Sequence, residues 1–342
     1  MKPPPPPRRG LPPWLSLVLR LLVVVGLLAW IASRVDLAAF GRTLARADLR
    51  WLAAAGLLVV AAHGIAALRW HRLLRAAGST WRFGRSLAVY AAGVFLGLFI
   101  PTGIGGDVYR VARVRGSGAG LALGATTIVL ERAIGLFALL VVGAGFVFAE
   151  PGTRPWGLAF AGGIAGGLLG LVALAVPGGT DRLADAVARL PRLGPPLAAR
   201  VRDTFPPAVL DRLRGALPGT VALSLVNHAF LLGVNLLLAR GLGLDAPWTA
   251  ICATVPLVLL AAQIPITPGG IGVREAGYVF FLGRLGVGEE QALALALAWA
   301  ALLYLVGLLA ALGLLADRDA KRADPGTGPP HSTTSSAVPP VD

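Results

Sequence analysis

The stretch Ile264-Pro265-Ile266-Thr267-Pro268-Gly269-Gly270-Ile271-Gly272-Val273-Arg274-Glu275 restricts the fold more than any other part of the chain. It closes a charge-free run from Ala246 to Val273 with two prolines and three glycines, then ends in adjacent opposite charges. Proline removes a backbone donor and glycine disfavours helix, so this backbone cannot be a plain spanning helix. At membrane depth such backbone survives only where protein buries it or where it lines a wet cavity. A similar break lies upstream, at Ile100-Pro101-Thr102-Gly103-Ile104-Gly105-Gly106-Asp107-Val108-Tyr109-Arg110. Paired Gly/Pro interruptions in matching places of two halves point to a transporter-type site.

Composition fixes the medium around these breaks. Of 342 residues 56% are hydrophobic and 14% charged, and the mean hydropathy is +0.74. Several apolar runs approach the roughly 20 residues needed to cross a bilayer, so the fold class is an all-α polytopic membrane protein. The net charge of +14 therefore belongs to loops and tails. These basic stretches flank spans and carry no interleaved aromatics, which favours anionic lipid headgroups over nucleic acid as partners. The lone Cys252 and four scattered histidines offer no disulfide framework and no metal spacing, so neither metal nor cofactor is expected.

Residues 1–13 read as a disordered, basic, proline-rich tail, 14–316 as a membrane domain, and 317–342 as a disordered polar tail. Six full spans are predicted: Trp14–Ser33, Trp51–Leu68, Ala119–Ala149, Trp156–Val176, Ala216–Ala239 and Gln291–Ala316. Ser86–Ile100 and Thr249–Ile264 would rise only about 22 and 24 Å as helices, short of the roughly 30 Å hydrocarbon core. Each is therefore expected to enter the membrane and return, forming a re-entrant pair. With both termini cytoplasmic, this layout puts 21 Lys/Arg inside and seven outside, as the positive-inside rule asks. It also divides the domain into halves of inverted topology, about 14–149 and 155–316. Thr102 and Thr267 stand 165 positions apart, as do Trp51 and Ala216.

Glu131 and Arg132 fall inside the third span. A charge near mid-bilayer costs about 2.5–3.5 kcal/mol on insertion scales, so the residues that carry one are functional candidates. Helical neighbours point about 100° apart, so each needs its own partner, and Asp107, Arg110, Arg274 and Glu275 are the charges beside the breaks. A buried ion network that only locks helices is the competing reading. Thr102, Gly103, Gly105 and Gly106 in one break, and Thr267, Pro268, Gly269, Gly270 and Gly272 in the other, could turn backbone N–H groups onto an anion. Tight chain reversal explains the same glycines. Neither break completes a nucleotide-binding loop. Gly162, Gly166 and Gly170 suit close helix packing, and Asn227, His228 and Asn235 suit interhelical hydrogen bonds.

Four ordered motifs carry a family resemblance: Arg69-Trp70 with Leu73-Leu74; Pro101-Thr102-Gly103-Ile104-Gly105-Gly106-Asp107 with Arg110; Glu131-Arg132; and Pro265 to Gly272 with Arg274-Glu275. Together they resemble the lysylphosphatidylglycerol synthase transmembrane-region family of flippase-like membrane proteins, over about residues 14–316. The resemblance implies a bilayer-embedded domain that moves an aminoacylated phospholipid between leaflets in the best-understood relatives. Those relatives carry a soluble aminoacyl-transferase domain after the membrane part, and this chain runs only to Asp342. A stand-alone, non-enzymatic member in the cell membrane is therefore expected, translocating a phospholipid or other lipid-linked anion. An enzyme or enzyme subunit of polyprenol-linked glycosyl transfer is the rival, and a non-transporting scaffold a third reading. A second copy of the chain, or a separate lipid-modifying enzyme, is the candidate protein partner.

Overall fold

A computed structural model describes residue 42 and residues 45–99, 105–114, 121–189, 194–263, 267 and 270–314, and their regular elements are helical. Helix α1 (Leu49–Ala76) begins where the Asp48 carboxylate accepts the Arg50 N–H at 2.9 Å, satisfying one donor the first turn leaves over. It is followed by α2 (Phe83–Phe99), α3 (Gly105–Val114) and α4 (Leu121–Ala149). A 3-10 turn, Arg154–Trp156, leads into α5 (Gly157–Ala175), then α6 (Gly179–Ala188), α7 (Gly194–Thr204) and α8 (Pro207–Leu213). The chain closes with α9 (Leu217–Gly241), α10 (Trp248–Ala261), α11 (Val273–Arg284) and α12 (Glu289–Ala310).

By length and composition, five helical stretches among the described residues could cross a membrane: α1, α4, α5 with its leading turn, α8 continued into α9, and α12. The predicted first span, Trp14–Ser33, and both tails lie outside the described residues. Helices α2 and α10 have 17 and 14 residues, so they reach about 26 and 21 Å and stop short of the core thickness, as the sequence suggested. The basic stretch after residue 177 departs from expectation. Read as a loop, it folds into α6, α7 and α8, whose buried Ala184, Ala198, Val209 and Leu210 turn inward while the arginines stay outside.

Helices α1–α4 and α9–α12 pack in matching ways. Within each set the first helix touches the second and fourth, the second touches the third, and the third touches the fourth. Between sets, α4 lies on α9 and α10 just as α12 lies on α1 and α2, and α1 pairs with α9 along the seam. This correspondence is what two repeats related by a pseudo-two-fold produce.

Lipid tails are as apolar as leucine, so close packing rather than desolvation must hold such helices together. A Cβ on Gly106 would sit 2.1 Å from the Gly93 carbonyl oxygen, so α2 and α3 touch backbone to backbone. One on Gly143 would lie 2.5 Å from Pro256, which brings α4 equally close to α10. One apolar cluster surrounds Trp70, Leu73, Ile134 and Leu213; another surrounds Val255, Tyr278, Leu295 and Trp299. Leu57, Leu158, Leu168, Leu308 and Leu312 face outward, as a bilayer solvent permits.

Candidate functional site

The first break sits against a chain of ion pairs. Glu131, on α4, is 2% exposed, and its carboxylate takes a guanidinium on each oxygen. Arg69 from α1 donates to one at 2.9 Å, and Arg110 from α3 donates to the other. Arg69 also donates to the Ser224 hydroxyl at 3.0 Å, which ties in α9. Arg110 lies 4.2 Å from the centre of the Trp70 ring and 4.7 Å from that of Tyr90, so its charge meets π faces as well. Gly93 makes room for it: a Cβ there would stand 2.9 Å from the Arg110 side chain.

Arg132 points elsewhere, as the 100° step requires. Its Nε donates to Asp107 at 2.6 Å, and Asp107 also meets Arg110 at 3.5 Å. Its side chain keeps 55% of its surface exposed. Three arginines and two carboxylates thus form one network with a single positive charge in excess. The network answers the question of partners that Glu131 and Arg132 raised. Asp107 and Arg110 take that role, whereas the Glu275 carboxylate turns to its own helix N-terminus.

A cavity of about 280 Å³ opens beside this network, with mixed polar and apolar walls. Gly97, Gly106, Asp107, Arg110 and Arg132 line it from the first set of helices, and Gln263, two residues past α10, lines it from the second. The cavity therefore lies where the flanks of the two breaks meet. Glu131 stands behind it, fully engaged by arginines, and is not on its wall. Gly105 opens α3 next to Gly106.

At the second break, Thr267 is buried, and its hydroxyl makes no hydrogen bond among the described residues. Gly270 (φ +74°) and Gly272 (φ +81°) adopt backbone that side chains strongly disfavour, which is what turns the chain into α11. The Glu275 carboxylate folds back to accept the Gly272 N–H at 2.6 Å, so it caps the helix rather than facing a ligand. Buried Arg274 has a guanidinium nitrogen 3.4 Å from the Cβ position of Gly270, and the same position lies 3.5 Å from the Ala262 methyl, beside Gln263. Thr102, Gly103, Pro268 and Gly269 lie outside the described residues.

Sequence reasoning missed Ser224 and Gln263 as contributors and quoted Arg69 only within a family motif, not as a site residue. Arg69 lies 62 positions from Glu131 near the end of a long helix, where an arginine reads as a membrane-edge anchor. Ser224 carried no signal. Gln263 could have been noticed, because it is the last polar residue of an apolar run immediately before the break.

A model of the family described as the lysylphosphatidylglycerol synthase TM region matches residues 17–311. No curated protein and no solved structure matches the chain. With its long apolar helices, the match makes this a multi-pass integral membrane protein of lipid metabolism or transport. The chain belongs to the lysylphosphatidylglycerol synthase transmembrane-region family.

Proposed function

We propose that the protein translocates an anionic phospholipid, or another lipid-linked anion, between the leaflets of the cell membrane. The observation that carries this reading is Arg132, half exposed on a polar cavity that both sets of helices line. Arg110 and Arg132 supply a positive field there, and Asp107 keeps the excess charge modest, so a headgroup can leave as well as bind. On this reading α2–α3 and α10–α11 are re-entrant pairs meeting near mid-membrane, where alternating access must switch. Both termini are then cytoplasmic. A lipid-modifying enzyme would want an acidic pair for metal or base chemistry. Its two candidates, Asp107 and Glu275, are occupied by arginines and by a helix N-terminus respectively, which favours transport.

The test is reconstitution of the full chain in liposomes with headgroup-varied fluorescent phospholipids, read by quenching of the outer leaflet. Exchange of anionic lipid is expected, and Arg132→Gln should slow it about tenfold. Chemical conversion of a lipid without leaflet exchange would replace this reading with the enzymatic one.

A further inference from the structure

A second cavity, of about 340 Å³, lies between α4 and α5 on one side and the short helices α6 and α7 on the other. That size falls within the roughly 300–1,000 Å³ of small-molecule sites. Its walls are almost wholly apolar, among them Ala133, Leu136, Gly166, Gly170, Leu183 and Phe205. The glycines of α5 divide into two kinds. A Cβ on Gly163 or Gly167 would run into Leu140 or Phe137, within 2.7 Å, so these two press α5 against α4. A Cβ on Gly166 or Gly170 would meet nothing within 4 Å. A larger residue at Gly166 or Gly170 would therefore project into the chamber without displacing a neighbour. Water has little to hold it there, since a buried water needs two to four polar partners.

The chamber and the polar-lined cavity are neighbours along one face of α4. Arg132 and Leu136 are four residues apart, so they lie one above the other on a single helix face. Arg132 borders the polar cavity and Leu136 borders the apolar chamber, and both side chains are at least one-third exposed. A charged end and an apolar end, about one helical turn apart on a membrane-exposed face, match the two ends of one amphiphile.

We infer that this chamber seats a hydrocarbon chain of the lipid whose headgroup lies against Arg132. The inference rests on the translocation reading and adds to it a site of chain recognition. The protein then selects for the tail as well as the charge: a long-chain anionic lipid is its ligand, and a water-soluble glycerophosphate is not. The α6 and α7 helices, with Leu183 and Phe205 on the chamber wall, form the cover that holds the chain against α4 and α5.

The full chain in liposomes, loaded with phosphatidylglycerol carrying a photoreactive group at the tail end, tests this. Photolysis and peptide mapping should place tail adducts on α4, α5, α6 or α7. Gly166→Phe and Gly170→Phe should lower adduct yield and long-chain lipid exchange at least tenfold. Gly162→Phe, equally open in space but off the chamber wall, should change neither. Exchange that persists in both chamber variants, with unchanged adducts, overturns the inference and leaves translocation standing. A wild-type protein that exchanges no lipid sinks the translocation reading instead, and the adduct map then decides the chamber alone. Should the variants fail to fold, the wild-type map decides as well. Adducts confined to other helices, or cysteine crosslinks from position 166 to residues 14–33 or to a second copy, would show a protein segment filling the chamber and refute it.

Discussion

Replacing Glu131 by glutamine is the sharpest test of the ion network. The substitution keeps the shape and removes the charge that two buried guanidiniums share. Arg69 and Arg110 are each 7% exposed, so neither can recover its hydration where it stands. Arg110 keeps Asp107 at 3.5 Å and its two aromatic faces, whereas Arg69 keeps the Ser224 hydroxyl and, among the described residues, no carboxylate. Losing one partner of a buried pair typically costs about 3–5 kcal/mol. That is roughly two to nearly four decades in the folding equilibrium, a large share of an ordinary 5–15 kcal/mol stability. In mild detergent, Glu131→Gln should sharply reduce monodisperse yield and the thermal midpoint, and Glu131→Ala should do so at least as strongly. Glu150→Ala, at the end of α4, should have little effect. Adding Arg69→Gln to Glu131→Gln should restore part of the loss, because the orphaned charge goes with it. Equal tolerance of Glu131→Ala and Glu150→Ala would mean that water reaches Glu131, and the whole account of a dry network would fail.

Three further outcomes are expected. Gly106→Ala should cost about 1–3 kcal/mol through overpacking of α3 on α2, seen as lost folded protein by size exclusion, and normal yield would show that the two backbones are not in contact. Gly270→Val should abolish lipid exchange and destabilise the turn into α11 by about 1–2 kcal/mol, since φ there is +74°; full exchange would remove that turn from the mechanism. Cysteines placed at exposed Thr80, ahead of α2, and at exposed Ala112, in the last turn of α3, should label from the same side of intact cells, with little background from buried Cys252. Labelling from opposite sides would make α2 a full span and end the inverted arrangement.

What could be read ahead of the structure followed from charge and length. Charges in apolar runs are expensive, so Glu131, Arg132, Asp107 and Arg110 stood out, and the structure joins all four in one network. Segments too short to span announced α2 and α10. The partners that complete the site were hidden for physical reasons. Arg69 and Ser224 reach it through tertiary packing of α1 on α9, which no local spacing encodes. Helices α6 to α8 are short and bury few side chains each, so their apolar faces are too small to register against a background of arginines. Glu275 looked like a ligand group because a carboxylate next to an arginine is ambiguous in sequence; only the fold shows it turned onto Gly272.

The two sets of helices share a packing plan, and α9 is tied into it by two kinds of chemistry. Buried ion pairs tie α1, α3 and α4 together, where losing one partner typically costs about 3–5 kcal/mol, and the Ser224 hydroxyl joins α9 to Arg69. The Tyr278 hydroxyl of α11 also donates to Asn235 of α9, a neutral hydrogen bond of a kind worth about 0.5–1.5 kcal/mol. If the protein rocks as the translocation proposal requires, α1 and α9 cannot part without breaking the buried contact from Arg69 to Ser224, so two helices from different sets would move as one body.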